Sequence, residues 1–162
     1  MSFFIANVSD LPDISSADCM EDGTVKRVVT ETGGREIVLI DSITMVEIGD
    51  SGQVIVSGSH GGANVGEITL RYAPSLAVFN DAGIGKDRAG VIALDILGEQ
   101  GIPALAVSHQ SARIGDAGDM WENGIISTLN SVAERLGFKA GAKLSEAVGA
   151  FGEQIVQARP AV

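Results

Sequence analysis

The sequence is poor in cysteine, aromatic residues and positive charge, and these shortages exclude several classes of protein. The single cysteine, Cys19, excludes an internal disulfide framework and any metal site built from a cysteine cluster. Lys and Arg number 11 against 21 Asp and Glu, which gives a formal net charge of -10. That charge argues against binding to nucleic acid phosphates or to an anionic membrane surface. Glycine, in contrast, is frequent, with 21 residues, and favours tight turns.

Long hydrophobic runs are also missing. No apolar run approaches the roughly 20 residues that a helix needs to span a bilayer. The beginning of the chain has no basic region and reaches Asp10 and Asp13 early, so we expect no secretory signal and a cytoplasmic protein. We predict a single α/β domain over residues 1–162, with an N-terminal arm over 1–23 and a frayed tail over 158–162.

Apolar segments separated by glycine turns predict an α/β fold. Residues 24–30 and 35–41 are two β-branched segments joined by a Gly-Gly turn, which indicates a hairpin. Further strands are predicted over 54–58, 76–80 and 104–109, and helices over 63–75, 87–98, 119–136 and 145–157. The alternation of strands and helices predicts a three-layer fold with a mainly parallel sheet and the antiparallel hairpin at one edge.

Both histidines of the sequence, His60 and His109, follow apolar strands, and Asp41 and Asp81 follow two others. Because the carboxyl ends of parallel strands meet at one edge of a sheet, we expect these groups to share a cleft. Imidazoles exchange protons near neutral pH. We therefore predict that His60 and His109 act as acid and base, and that Asp81 orients one of them.

Two glycine pairs lie beside these strand ends and favour binding of an anion. Gly61 and Gly62 in one turn, and Gly83 and Gly85 in the other, allow the backbone to approach a ligand with its N–H groups. Lys86 follows the second pair and is predicted to neutralise an anion or to act as a base. The alternative is a solvated lysine at the start of a helix.

Two known motifs are incomplete at these positions. The His-Gly-Gly segment over 60–62 resembles the oxyanion-hole turn of lipases and esterases, but the sequence lacks their G-x-S-x-G elbow. Lys86 resembles the end of a P-loop, but Asn80 stands in place of the first glycine and Asp87 in place of Ser or Thr. Neither a Ser-His-Asp hydrolase nor binding of a nucleoside triphosphate is predicted.

The segment after the last predicted strand contains several hydrogen-bonding side chains. Arg113 is predicted to clamp a carboxylate, with Ser111 donating beside it. The alternative is a scaffold role, in which Arg113 pairs with Asp116 or Asp119.

These residues predict an enzyme for a compact anionic substrate that bears a carboxylate or an amide. Hydrolysis and proton-transfer isomerisation or lyase chemistry need the same residue types and stay open. The alternative is a non-catalytic subunit that binds a small ligand or forms a homo-oligomer, since the helix predicted over 87–98 is apolar almost all round. No metal ligands are assigned and the cofactor requirement stays open, with a divalent metal kept as an alternative because two histidines and one carboxylate would suffice.

Overall fold

The sheet contains seven strands, which follow one another across it in the order of the chain. The computed structural model describes residues 18–19 and 25–158. The strands are β1 (Asp18–Cys19), β2 (Val25–Thr32), β3 (Arg35–Ile40), β4 (Val54–His60), β5 (Leu76–Asn80), β6 (Ala104–Val107) and β7 (Ile126–Leu129). The α-helices are α1 (Ala63–Tyr72), α2 (Ile92–Glu99), α3 (Ala117–Asn123), α4 (Ser131–Arg135) and α5 (Leu144–Ala158). Short 3-10 helices cover Ile43–Met45, Ile48–Asp50 and Lys86–Arg88.

The pairing of the strands confirms the predicted α/β fold with its antiparallel N-terminal hairpin. Strands β1, β2 and β3 pair antiparallel, and β3, β4, β5 and β6 pair parallel. Strand β7, which was not predicted, adds antiparallel to β6 at the other edge. The parallel centre is almost completely buried, as expected for strands covered on both faces.

Side chains alternate between two cores, one on each face of the sheet, which gives the three layers. On one face, residues such as Val56, Val78 and Leu105 pack against α3, α4 and α5. On the other, Phe79 and its neighbours pack against α1 and α2. Within α2, Ala93, Leu94 and Leu97 are fully buried in this second core. Much of the apolar surface of the helix predicted over 87–98 is therefore buried within this chain.

The single helix predicted over 119–136 is wrong. The structure divides this segment into α3, the edge strand β7 and α4. Helix α3 ends at Gly124, where the backbone turns to an extended conformation (φ -62°, ψ 134°); an added side chain there would collide with the carbonyl oxygen of Met120, so the position needs glycine. Helix α4 then begins at its own cap, where the Asn130 side chain accepts a hydrogen bond from Ala133 N–H at 3.0 Å.

The helix after β5 begins later than predicted. Helix α2 starts at Ile92, and the five preceding residues form a loop with a 3-10 turn, in which Asp87 has a left-handed φ of 54°. The predicted N-terminal arm lies outside the described residues except for strand β1, and residues 159–162 of the predicted tail lie outside them entirely. No helix in the described part of the chain has both the length and the apolar character needed to cross a membrane.

Candidate functional site

The loops that follow β4, β5 and β6 lie together at the carboxyl edge of the parallel strands, as the topology requires. The β4 loop is tied to α2 by the Ala93 N–H, which donates to Gly61 O at 2.8 Å. The β6 loop is tied to β4 by Gly115 N–H, which donates to Gly58 O at 2.7 Å. These bonds fix the loop after β4 against α2 and the loop after β6 against β4.

Asp81 is the most densely bonded side chain at this edge. It follows the last residue of β5 and is only 4% exposed. Its Oδ1 atom accepts hydrogen bonds from Gly83 N–H at 2.8 Å, from His109 N–H at 3.0 Å, and from the Nδ1 atom of the His109 ring at 3.0 Å. Its Oδ2 atom accepts one from the Ser127 hydroxyl at 2.7 Å. Four donors therefore converge on one buried carboxyl group.

These donors keep Asp81 ionised. Burial by itself raises the pKa of a carboxyl group, since it penalises the charged form. The hydrogen bonds from Gly83, Ser127 and His109 outweigh this effect, and the net result is a pKa of Asp81 below its ordinary value. At neutral pH the group is a carboxylate, which accepts hydrogen bonds and donates none.

The His109 ring is held by this carboxylate at one nitrogen only. Because Asp81 accepts, Nδ1 carries a proton, and Nε2 is the basic nitrogen when the ring is neutral. Within the described residues no hydrogen bond reaches Nε2, and the side chain is 47% exposed. The ring also lies over Gly83, where an added side chain would approach it to 3.6 Å. An imidazole held in this way can take a proton from water or from a ligand at its free nitrogen.

No family model, no curated protein and no solved structure gives a significant match to this chain.

The loop between Asp81 and α2 has a strained backbone. Left-handed φ angles occur at Gly83 (79°) and Gly85 (72°), where glycine permits them, and also at Ala82 (47°) and Ile84 (66°). A branched residue such as Ile84 rarely adopts this conformation, which costs on the order of 1–3 kcal/mol and persists where the surroundings enforce it. Here, Ile84 N–H donates to Asp81 O at 2.6 Å and Gly90 N–H donates to Ile84 O at 2.8 Å.

Lys86 lies at the exposed outer part of this loop. It begins the 3-10 turn, and it forms no ion pair with any residue in the described part of the chain. Its neighbour Arg88, in contrast, approaches Asp95 at 3.5 Å. The predicted role of Lys86 toward an anion stays a prediction.

His60 lies at the same edge but does not join Asp81 or His109 through any hydrogen bond among the described residues. Its Cα pairs with that of Asn80, next to Asp81 in the chain. Its side chain is exposed, and a side chain added at Gly62 would come within 2.9 Å of its ring. Gly61 is needed for packing, because an added side chain would meet Gly90 O at 3.0 Å. The predicted pairing of the two histidines as acid and base stays a prediction.

The loop after β6 uses its predicted binding residues for its own structure. The Ser111 hydroxyl donates to Ser108 O at 2.7 Å and accepts from Ile125 N–H at 3.0 Å. Its single proton is therefore used within the loop and not for a ligand. Arg113 is exposed, and its side chain approaches Asp119 at 3.7 Å, the pairing named above as the alternative. The Arg113 backbone N–H also donates to Asp119 at 2.8 Å and lowers the pKa of that carboxyl group.

Asp41 joins the N-terminal hairpin to α3, and within the described part of the chain its side chain makes no hydrogen bond to His60, Asp81 or His109. Its two oxygens accept hydrogen bonds from Val25 N–H at 2.8 Å and from Ala117 N–H at 3.0 Å. Among the described residues, no group of three or more His, Cys, Asp or Glu is arranged to hold a metal ion.

Two side chains that support the site were missed from the sequence. The Asn80 amide donates to Ala112 O at 3.0 Å, and its oxygen accepts from Ala82 N–H at 2.9 Å, so it joins the loops after β5 and β6. Ser127 was assigned to a helix, which hid its approach to Asp81. The β-branched segment bounded by Gly124 and Asn130 was the available signal for a strand.

Proposed function

We propose that this chain is a small-molecule enzyme in which His109 transfers a proton and Asp81 orients it. The observation that supports the proposal is the pair formed by these two residues: a buried carboxylate bound to Nδ1 of a ring whose Nε2 has no protein partner in the described structure. In Ser-His-Asp catalysis the buried aspartate has the same task, since it fixes the tautomer and stabilises the imidazolium. Here no serine hydroxyl is hydrogen-bonded to the His109 ring among the described residues, so the proton would come from water or from the substrate.

The proposed substrate is a compact anion with a carboxylate or an amide. Lys86 supports this choice, because it is an exposed cation without an ion-pair partner in the described part of a chain whose net charge is -10. It belongs to the same strained loop that begins at Asp81. The N–H groups of Gly83 and Gly85 already donate to Asp81 Oδ1 at 2.8 Å and to Gly83 O at 2.7 Å, so Lys86 is the group in this loop that supports an anionic substrate. Proton abstraction from water leads to hydrolysis, and proton abstraction from carbon leads to isomerisation or elimination.

A ligand screen followed by an exchange assay tests the proposal. The wild-type protein and His109→Gln are first screened by thermal shift against small carboxylates, amides and phosphates. A ligand at 100 times its Kd stabilises the folded state by about 2.7 kcal/mol, which is easily detected. Each ligand found is then incubated in D2O and followed by NMR, which detects both deuterium incorporation at carbon and hydrolysis products.

We expect His109→Gln to bind the same ligands as the wild type and to lose at least about 100-fold of the turnover, the usual contribution of a general base. His60→Gln serves as the matched comparison and reports whether the second histidine takes part. Equal turnover in wild type and His109→Gln would refute the assignment of His109. Ligand binding without any conversion by the wild type would favour the non-catalytic binding subunit.

A further inference from the structure

Ser127 occupies a β-bulge, the feature that turns its side chain toward Asp81. Along the β6–β7 pair, Ala106 is opposite Thr128 and Val107 is opposite Ile126, so that Ser127 has no partner on β6. A bulge adds one residue to a strand, bends it and re-aims a side chain, and bulges are frequent next to active sites.

The two cores require this extra residue. Ile126 and Leu129 both pack into the core on the side of α3 and α5, although they are three residues apart. Strict alternation would send residues three apart to opposite faces of the sheet. The bulge restores the register, and Ser127 is the residue that absorbs the difference.

The Ser127 hydroxyl makes one strong contact and one weak one. It lies 2.7 Å from Oδ2 of Asp81 and 3.3 Å from Ala106 O. Among the described residues it is the only donor to Oδ2, whereas the three other donors all bind Oδ1. The Ser127 contact therefore fixes the rotation of the carboxylate plane, and with it the direction from which Oδ1 meets the His109 ring.

We infer that Ser127 is a positioning residue, which holds Asp81 so that the carboxylate keeps His109 in the tautomer with a proton on Nδ1. This inference rests on the proposed function for its effect on turnover, but not for its effect on the ring. A purely structural role, in which the hydroxyl only completes strand β7, predicts a change in stability and no change in the Asp81–His109 contact.

Three substitutions separate these roles. Ser127→Ala removes the donor, Ser127→Thr keeps a hydroxyl and suits a strand, and Ser127→Cys keeps the size of serine with only a weak donor. The readout is the imidazole Nδ1–H signal of His109 in ¹H–¹⁵N NMR spectra at neutral pH, together with the titration of Asp81 followed by carboxyl ¹³C shifts. The cysteine variant provides the comparison if Ser127→Ala does not fold.

In Ser127→Ala we expect the Nδ1–H proton of His109 to exchange with water about 10-fold faster, and the titration midpoint of Asp81 to rise by about 0.5 to 1 pH unit, because one hydrogen bond to its charged form is lost. Ser127→Thr should restore both values. With a converted substrate in hand, kcat should fall about 10-fold in Ser127→Ala with KM little changed.

An unchanged Nδ1–H signal and an unchanged Asp81 titration in Ser127→Ala would overturn the inference, whatever the stability of the variant. If both readouts change as expected but the wild type converts no ligand, the positioning role stands and the proposed function fails. If the wild type converts a ligand and Ser127→Ala converts it equally well with altered NMR readouts, Ser127 positions the ring but turnover does not depend on it, and the part of the inference that concerns turnover is refuted.

Discussion

Replacement of Asp81 by asparagine or alanine gives a quantitative test of the bonds that build the site. Asparagine has the same shape, so its oxygen can still accept from the backbone N–H groups of Gly83 and His109 and its amide can face Ser127, but all these bonds become neutral. Hydrogen bonds to a charged group contribute about 1.5–3 kcal/mol, against about 0.5–1.5 kcal/mol for neutral ones. Removal of the buried charge also removes its desolvation cost, which offsets part of the stability lost with the charged hydrogen bonds. We therefore expect Asp81→Asn to lower the free energy of unfolding by about 1–2 kcal/mol.

Alanine removes the acceptor altogether and leaves Gly83, His109 and Ser127 without their common partner. Water can reach the exposed Gly83 and His109 groups, and Ser127 can turn to Ala106 O at 3.3 Å, so the cost is smaller than four lost bonds. We expect a loss of about 2–4 kcal/mol, which a domain of this size tolerates.

The assay is urea unfolding at neutral pH with equal m-values across the set, so that only stability is compared. Asp87→Asn is the matched control, since Asp87 is exposed, has a φ of 54° that asparagine accepts readily, and makes no side-chain hydrogen bond with another described residue. It should change the free energy of unfolding by less than about 0.5 kcal/mol. An Asp81→Asn variant as stable as Asp87→Asn would refute the claim that four donors hold a charged carboxylate at this position.

Three further predictions concern the pH response and the packing. Because hydrogen bonds lower the pKa of Asp81, its stabilising contribution is present at neutral pH and is lost as the pH falls through its folded-state pKa. Unfolding free energies measured from about pH 6 to pH 3 should therefore fall less steeply in Asp81→Asn than in the wild type, and parallel curves would contradict this. Gly152→Ala should destabilise the chain by about 1–3 kcal/mol in thermal unfolding, because the added side chain would collide with Thr32 and come within 2.8 Å of Gly33 N. The control is Gly149→Ala on the same helix, where the added side chain has open space around it. In the same assay this variant should be as stable as the wild type or up to about 1 kcal/mol more stable. Asn130→Asp should cost about 2–4 kcal/mol in urea unfolding, because the Asn130 amide donates to Leu94 O and Ile102 O at 3.0 and 2.9 Å; a loss below about 1 kcal/mol would contradict this.

The parallel centre of the sheet was predictable because its strands carry a strong local signal. Segments such as those over 76–80 and 104–107 are short, apolar and bounded by Gly, Pro or Asp, and only a sheet covered on both faces buries them completely. The hairpin was equally readable from β-branched residues around Gly33 and Gly34. The placement of Asp81 and His109 at one edge followed from this topology alone.

The edge strand β7 was missed because of a coincidence of spacing. Trp121, Ile125, Leu129 and Val132 recur at intervals of three and four residues, as in an amphipathic helix. In the structure these residues belong to a helix, a connecting loop, a strand and a second helix in turn. Local periodicity does not report that a segment will be recruited to a sheet edge, because the partner strand lies about 20 residues away in the chain.

The details of the site depended on contacts that no local pattern carries. The sequence indicated a carboxylate near a histidine, but not which histidine, since both follow strands. Ser127 joins Asp81 across 46 residues of sequence through a bulge, and Ser111 is used by its own loop. A sequence shows that a loop carries hydrogen-bonding residues, which suggests ligand binding. It does not show which partners within the protein those residues bind.

The imidazole nitrogens of the two histidines give the most direct test of the central claim, that Asp81 holds His109 with its proton on Nδ1. In ¹⁵N NMR spectra of the wild-type protein with the His109 ring neutral, Nδ1 should be protonated and Nε2 bare, and the Nδ1–H signal should be protected from exchange. Asp81→Asn should lose that protection, while the His60 signals stay unchanged. A His109 ring that carries its proton on Nε2 in the wild type, or that shows the same spectrum in Asp81→Asn, would contradict the claim.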